Sequence, residues 1–410
     1  MTASRIALGA ALALGGFAAN AQLPAAGQIA PAQAVRLTKE ERATLAPLSA
    51  AVQARDWNAA SAALPAAQSA ASNAQTRYIV ASHQFAIAAG RGDPALQPVA
   101  VEALIASGGV PAAELPALYR ARASFVQRAR DARQHEAGLT RYLETAPNDV
   151  EALAALSEIK ETLKKSPEAL RLLDRAIELR RASGQIVPEA WYKRALRLSF
   201  DNRLAPESMK FARALVEAYP SQTNWRDATH AYRTLAGADP AAALDAMRLT
   251  RSAKALAGER DYLEFAQALT AGGFAPESKA VLDEGVGNRM VDPAEGQYKA
   301  LLASSAKEAT AQRAGLSARQ TKAGAAEATG ADALAAADAT FATGSYAKAA
   351  ALYRTALEKG GIDAALANNR LGMALALAGQ RVEAEAALRA VSGPRADLAS
   401  LWLVWLGQRG

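Results

Sequence analysis

The chain has 410 residues, 51% of them apolar but only 6% aromatic, and a formal charge of +7. Much of the apolar fraction is Ala, which loses no side-chain entropy in a helix. A β-rich protein needs more Val, Ile, Thr and aromatics, so an all-α fold fits best. Cys is absent, which excludes disulfides, thiolate metal sites and a Cys-linked lipid anchor.

At the N-terminus, Arg5 precedes an apolar run from Ile6 to Ala19, and Ala19-Asn20-Ala21 puts small residues where a signal peptidase cuts. Residues 1–21 therefore read as a secretory signal, with an apolar run too short to span a bilayer. The expected location is periplasmic. Export makes nucleic acid a poor match for the positive charge, whereas an anionic envelope or membrane surface matches it in sign. An Arg-rich surface with no ligand accounts for the charge equally well. Residues 22–40 contain Pro24, Gly27 and Pro31 and read as a flexible linker.

Helical spacing begins at Glu41. Arg55-Asp56-Trp57 followed by Ala60, Leu64 and Ala67 reads as the start of a second helix in a hairpin. Further on, Arg122, Arg130 and Arg133 share one side of a predicted helix, opposite Ala121, Phe125, Val126, Ala129 and Ala132. They form either an anion-binding stripe or a solvated outer face. Asn148, with Glu151 three residues on, has capping-box spacing, and Leu153, Leu156 and Ile159 follow on one stripe. Ser166-Pro167-Glu168 opens the next helix, with Ser166 expected to cap and Ala169, Leu173, Ala176 and Ile177 forming its apolar stripe.

The same skeleton recurs with Trp191, Ala195, Ala212 and Leu215, then from Trp225 to about Leu249, then with Tyr262, Ala266, Ser278 and Leu282. Asp292-Pro293 signals a helix running to about Arg313, and the Ala-, Gly- and Lys-rich residues 314–330 read as a linker or a weak helix. The block 331–410 carries the clearest pattern. Gly344, Tyr346, Ala349 and Tyr353 match Gly379, Ala384 and Leu388, with Ala349 and Ala384 35 residues apart. Leu398 to Leu406 is apolar on nearly every face. It either folds back onto the chain or docks on something else.

These motifs, above all Asn369-Arg370-Leu371-Gly372 ending at Gly379, resemble the tetratricopeptide repeat, whose period is 34 residues. The resemblance implies a right-handed superhelical solenoid of antiparallel helical hairpins, with residues 41–313 as a degenerate array and 331–410 as a terminal pair. It also implies a concave groove lined by the first helix of each hairpin. That places Glu151, Ala154, Glu158, Glu161 and Thr162 in an acidic groove, and Leu366, Asn369, Met373, Ala376 and Leu377 in an apolar one. The apolar groove is expected to take a peptide or helix, with Asn369 bonding its backbone. Packing of Met373 and Leu377 against the terminal helix is the competing reading.

Reaction chemistry is not visible. His83, His135 and His230 stand far apart, and no phosphate loop or nucleophile elbow occurs. Ser304 to Lys307 and Ser345 to Lys348 have Ser-x-x-Lys spacing but lack the companion motifs of the enzymes that use it. No catalytic residue, cofactor or metal is expected. The expected function is an envelope scaffold that binds a protein or peptide and no nucleic acid. The rivals are a binder of anionic cell-wall polymer or lipid, and the superhelical part of a cell-wall enzyme.

Overall fold

The computed structural model describes residues 37–409 except 94, 112–113, 116, 120, 123–131 and 236–238. The expected signal segment and most of the expected linker therefore lie outside the described residues. The described residues form helices without strands, and they fall into two compact units that meet between Ile186 and Val187. The first unit holds α1 (Lys39–Gln53), α2 (Trp57–Ala70), α3 (Ala74–Gly90), α4 (Leu96–Ala106), α5 (Ala132–Thr145), α6 (Val150–Thr162) and α7 (Ser166–Ala182). The second begins with α8 (Glu189–Asp201), α9 (Ala205–Ala218), α10 (Gln222–Leu235), α11 (Pro240–Ser252), α12 (Glu259–Ala271) and α13 (Ala275–Gly287). It continues with α14 (Gly296–Ala314), α15 (Leu316–Gly324), α16 (Gly330–Ala342), α17 (Tyr346–Lys359), α18 (Ala364–Leu377) and α19 (Arg381–Arg389). A 3-10 turn (Gly393–Arg395) and α20 (Ala396–Gly407) close the chain.

Consecutive helices pack as antiparallel hairpins, as the sequence predicts, and six of the hairpins share one register. A left-handed backbone residue ends the first helix at Arg55, Lys164, Arg203, Gly273, Gly344 and Gly379, with φ between 55° and 81°. Five residues after each of them comes a small side chain with no exposed surface: Ala60, Ala169, Ser208, Ser278, Ala349 and Ala384. The chain must reverse within two or three residues, and the left-handed residue makes that reversal while freeing its N–H for the last carbonyls of the helix. The small residue then sits where the two helix backbones come closest. Ser157 Oγ donates to the Ala169 carbonyl at 2.7 Å, and Ser278 Oγ to the Ala266 carbonyl at 3.0 Å, each spanning twelve residues. In the last hairpin the position twelve before Ala384 is Gly372, where a Cβ would lie 2.5 Å from Leu388 Cγ. Small residues here are a requirement of close packing, since interiors have no slack for an added methyl group.

Local chemistry departs from expectation at several helix starts. Asp149, not Asn148, caps α6 and accepts from Ala152 N at 3.0 Å, while Asn148 accepts from Arg175 at 2.7 Å. Lys165 stands at the N-cap of α7, with Ser166 and Pro167 inside the first turn and no side-chain cap bond. Asp292 turns the chain by accepting from Ala294 N at 2.9 Å, and the helix opens four residues later, at Gly296. Within 314–330, residues 316–324 are helical, and Ala323 packs with Ala333, Ala336 and Ala356. The cluster's fully buried members are all Ala, with Leu334, Leu352 and Ile362 packed around them, so α15 itself carries no long apolar stripe and its composition reads as weak.

The terminal apolar run folds back. Leu398, Leu401 and Trp402 have no exposed surface, and Trp405 and Leu406 are also buried. Helix α20 packs on α19 and also touches α18, α11 and α9. The end of the second unit therefore returns to helices near its beginning: Gln408 donates to the Val216 carbonyl at 2.7 Å, and the Tyr232 hydroxyl to the Pro394 carbonyl at 3.3 Å. No described helix is long and apolar enough to cross a membrane.

Candidate functional site: the first-helix faces

In the hairpins that share the register, the left-handed turn residue fixes positions along the first helix. Counting back thirteen, six and three residues from Lys164 gives Glu151, Glu158 and Glu161 on α6. Glu151 and Glu158 are exposed and Glu161 is half-buried. Glu151 is paired with Arg180 of the hairpin partner α7. Beside this face Lys160 bonds Glu136 and Glu168, each at 2.6 Å, and Lys165 bonds Glu136 at 2.7 Å. The hydrogen bonds from Lys160 and Lys165 hold the Glu136 carboxyl below its usual range. The predicted acidic face is thus exposed and lies beside a lysine–glutamate network.

In the second unit the first helices α8, α10 and α12 lie side by side. Phe200 of α8 stacks near His230 of α10, with ring centroids 5.7 Å apart, and Arg233 of α10 is ion-paired with Glu264 of α12. Asn224 of α10 donates to Glu189 of α8 at 2.9 Å. Arg197, His230 and Gln267 are exposed on this row, and Phe200, Arg226 and Leu263 are half-buried. The row mixes cationic, aromatic and apolar groups on three consecutive hairpins. Sequence reasoning missed it, because Lys193, Arg197 and Arg226 look like ordinary solvated helix charges when read one helix at a time.

The apolar groove expected on α18 is corrected by the structure. Asn369 and Met373 have no exposed surface, while Leu366 and Leu377 are half-buried. The chain's own helix α11 fills the space. Asn369 Nδ2 lies 3.4 Å from Asp245 Oδ2 and 3.3 Å from Met373 Sδ. Arg370 donates through Nε to both Asp245 oxygens at 3.3 Å, and through Nη1 to Asp338 at 2.6 Å. Arg248 donates to Asp245 at 2.8 Å and to Glu277 at 2.6 Å, and its guanidinium lies between the rings of Phe274 and Phe341. Tyr353 completes the cluster by donating to Asp338 at 2.7 Å. Asn369 thus does bond a helix, but it meets a carboxylate of the same chain and not the backbone of a partner.

Charge balance explains the chemistry of this cluster. Burial alone would push both arginines toward the neutral form, but Glu277 and Asp245 around Arg248, and Asp245 and Asp338 around Arg370, outweigh it and raise both. Burial and the adjacent Asp338 push the Tyr353 hydroxyl well above its usual value, so it remains a donor. Nothing in the sequence marked Asp245 and Arg248, since an Asp and an Arg three apart on a helix are usually solvated.

The remaining sequence candidates are dispersed. Arg122 is ion-paired with Glu102, Arg133 is exposed, and Arg130 lies outside the described residues. His83 is buried and bonded to Ser49 at 3.1 Å, with burial lowering its pKa. His135 is also buried, with the same effect on its pKa, and His230 is exposed. Ser304 donates to the Leu301 carbonyl within its own helix, and Ser345 lies in the turn before α17. Among the described residues no group of His, Asp and Glu converges as a metal ligand set.

No family model and no curated protein matches the chain. Among solved structures, it is similar to a tetratricopeptide repeat protein from Parabacteroides merdae. That alignment covers 67% of this chain and 100% of that one at 14% identity and a TM-score of 0.29. It is also similar to the structure of Naa15/Naa10 bound to HypK-THB, over 88% of this chain and 65% of that one, at 15% identity and a TM-score of 0.28. The turn-plus-five register repeated within the chain itself defines an all-α protein built of antiparallel helical hairpins.

Proposed function

We propose that the chain is a non-catalytic helical scaffold that binds a polypeptide partner through the first-helix row of α8, α10 and α12. The observation that carries this reading is the row itself: Phe200 against His230 and Arg233 against Glu264 join three hairpins, with Arg197, His230 and Gln267 open to solvent. The corresponding row on α18 is filled by α11, so the scaffold offers its open face nearer the start of the second unit. Exposed polar groups beside half-buried Phe200 and Leu263 suit a peptide that brings both apolar and charged side chains. We further propose that the protein is exported and serves envelope assembly or maintenance; the Arg5-led apolar run supports export.

The test uses a photo-crosslinking amino acid placed singly at Arg197, His230 and Gln267, and at Lys210 and Lys279 on second helices as controls. In intact cells the first three positions should capture one common protein that the controls do not. Equal capture at both sets would refute the assignment, and recovery of the protein in the cytoplasmic fraction would refute export.

A further inference from the structure

We infer that α20 is an in-chain ligand occupying a helix-docking seat, and that a separate helix carrying the same side-chain pattern can take its place. The seat is distinct from the first-helix row, and the inference does not depend on that row. The large side chains α20 buries are Leu398, Leu401, Trp402, Trp405 and Leu406, with Ala399 buried beside them. Their spacing of i, i+3, i+4, i+7 and i+8 puts one stripe of bulky anchors in the seat, as in helix-in-groove recognition. The seat is built from α19 together with α18, α11 and α9, so it joins helices distant in sequence.

Arg395, just before α20, supplies the specificity. Its Nη2 is 2.6 Å from Asp239 and its Nε is 3.8 Å from Asp363. Each of these aspartates caps a helix: Asp239 accepts from Ala242 N at the start of α11, and Asp363 from Ala365 N and Leu366 N at the start of α18. A single buried guanidinium thus reads the starts of two helices that are far apart in sequence. The pattern recognised is Arg, then Leu three residues on, then the Leu/Trp stripe.

Two features make this an exchangeable attachment. Its tether is the short turn around Gly393, which has φ +70°. In the closed arrangement Arg395 Nη1 and Trp402 Nε1 are buried donors without an acceptor. Buried donors that go unmet oppose closure, and the left-handed Gly393 lets the segment after it turn without backbone strain.

The test uses the full chain and a labelled synthetic peptide of residues 393–410. The Arg395→Ala chain keeps both seat aspartates but weakens its own latch. It should bind the peptide at least tenfold more tightly than the wild-type chain does, because more of its seats are vacant. An R395A peptide should bind that chain at least tenfold more weakly than the natural one. In the wild-type chain, amides of 398–407 should exchange with deuterium at least tenfold faster than those of α11 and α13. A folded Arg395→Ala chain that ignores the peptide, or wild-type exchange of α20 in step with α11 and α13, overturns the proposal. If the variant does not fold, the wild-type exchange result decides.

Discussion

Lys164 and Arg203 show how much a single residue contributes to the hairpin template. Both hold the left-handed conformation that Gly273, Gly344 and Gly379 hold elsewhere. An L-residue there is strained by about 1–2 kcal/mol. A cation at a helix C-terminus recovers part of that through the partial negative charge of the exposed carbonyls. Lys164→Gly and Arg203→Gly should each raise stability by about 0.5–1 kcal/mol in denaturant titrations, and Gly379→Ala should lower it. At these turns a basic residue stands where Gly marks the turn in other hairpins, while the buried small residue five positions later is kept. His83 gives a second prediction at this scale. Its folded pKa is depressed by burial, so its neutral form is the folded one. Its contribution is fully present above its unfolded pKa of about 6.5 and is lost as pH falls below that. Denaturant titrations of the wild-type chain should show stability dropping between pH 7.5 and pH 5.5, and His83→Gln should show a smaller drop.

Between elements, the Asp245–Arg248–Glu277–Arg370–Asp338 cluster joins α11 to α13, α16 and α18. Each guanidinium is stable only with its carboxylates in place. Removing Asp245 strips one partner from each of two buried arginines, and a broken buried pair costs about 3–5 kcal/mol. Asp245→Ala should therefore lower the thermal transition of the second unit far more than Asp283→Ala, which removes an exposed pair with Lys279 in the same unit. Calorimetry of the two variants would show nearly equal losses if the cluster contributes no more than a surface ion pair. The family resemblance placed Leu366, Asn369, Met373 and Leu377 in an open groove, and the structure buries Asn369 and Met373. What the sequence could not convey is that a segment over a hundred residues earlier returns to cover them. Helical periodicity reports which face of a helix is apolar, but not which other helix meets it.

Across the whole molecule, six hairpins in the two units follow one rule: a left-handed turn residue, then a fully buried small residue five positions on. The proposed scaffold function draws on that rule, because it sets which side chains those first helices present outward. Hairpin existence and helix type were readable from Ala, Leu and turn spacing. The division at Ile186–Val187 was not, and the apolar run of α20 left its folding back as one of two readings without showing which helices it meets, since both are set by tertiary contacts between distant segments. The most direct test substitutes Leu, one position at a time, at Ala60, Ala169, Ser208, Ser278, Ala349 and Ala384, with Arg171→Leu and Glu217→Leu as exposed controls, and follows thermal unfolding. All six should lose about 1–3 kcal/mol from overpacking at the helix crossing, the first two in one unit and the other four in the other, with the controls near wild type. Leu accepted at most of the six without loss would contradict the account.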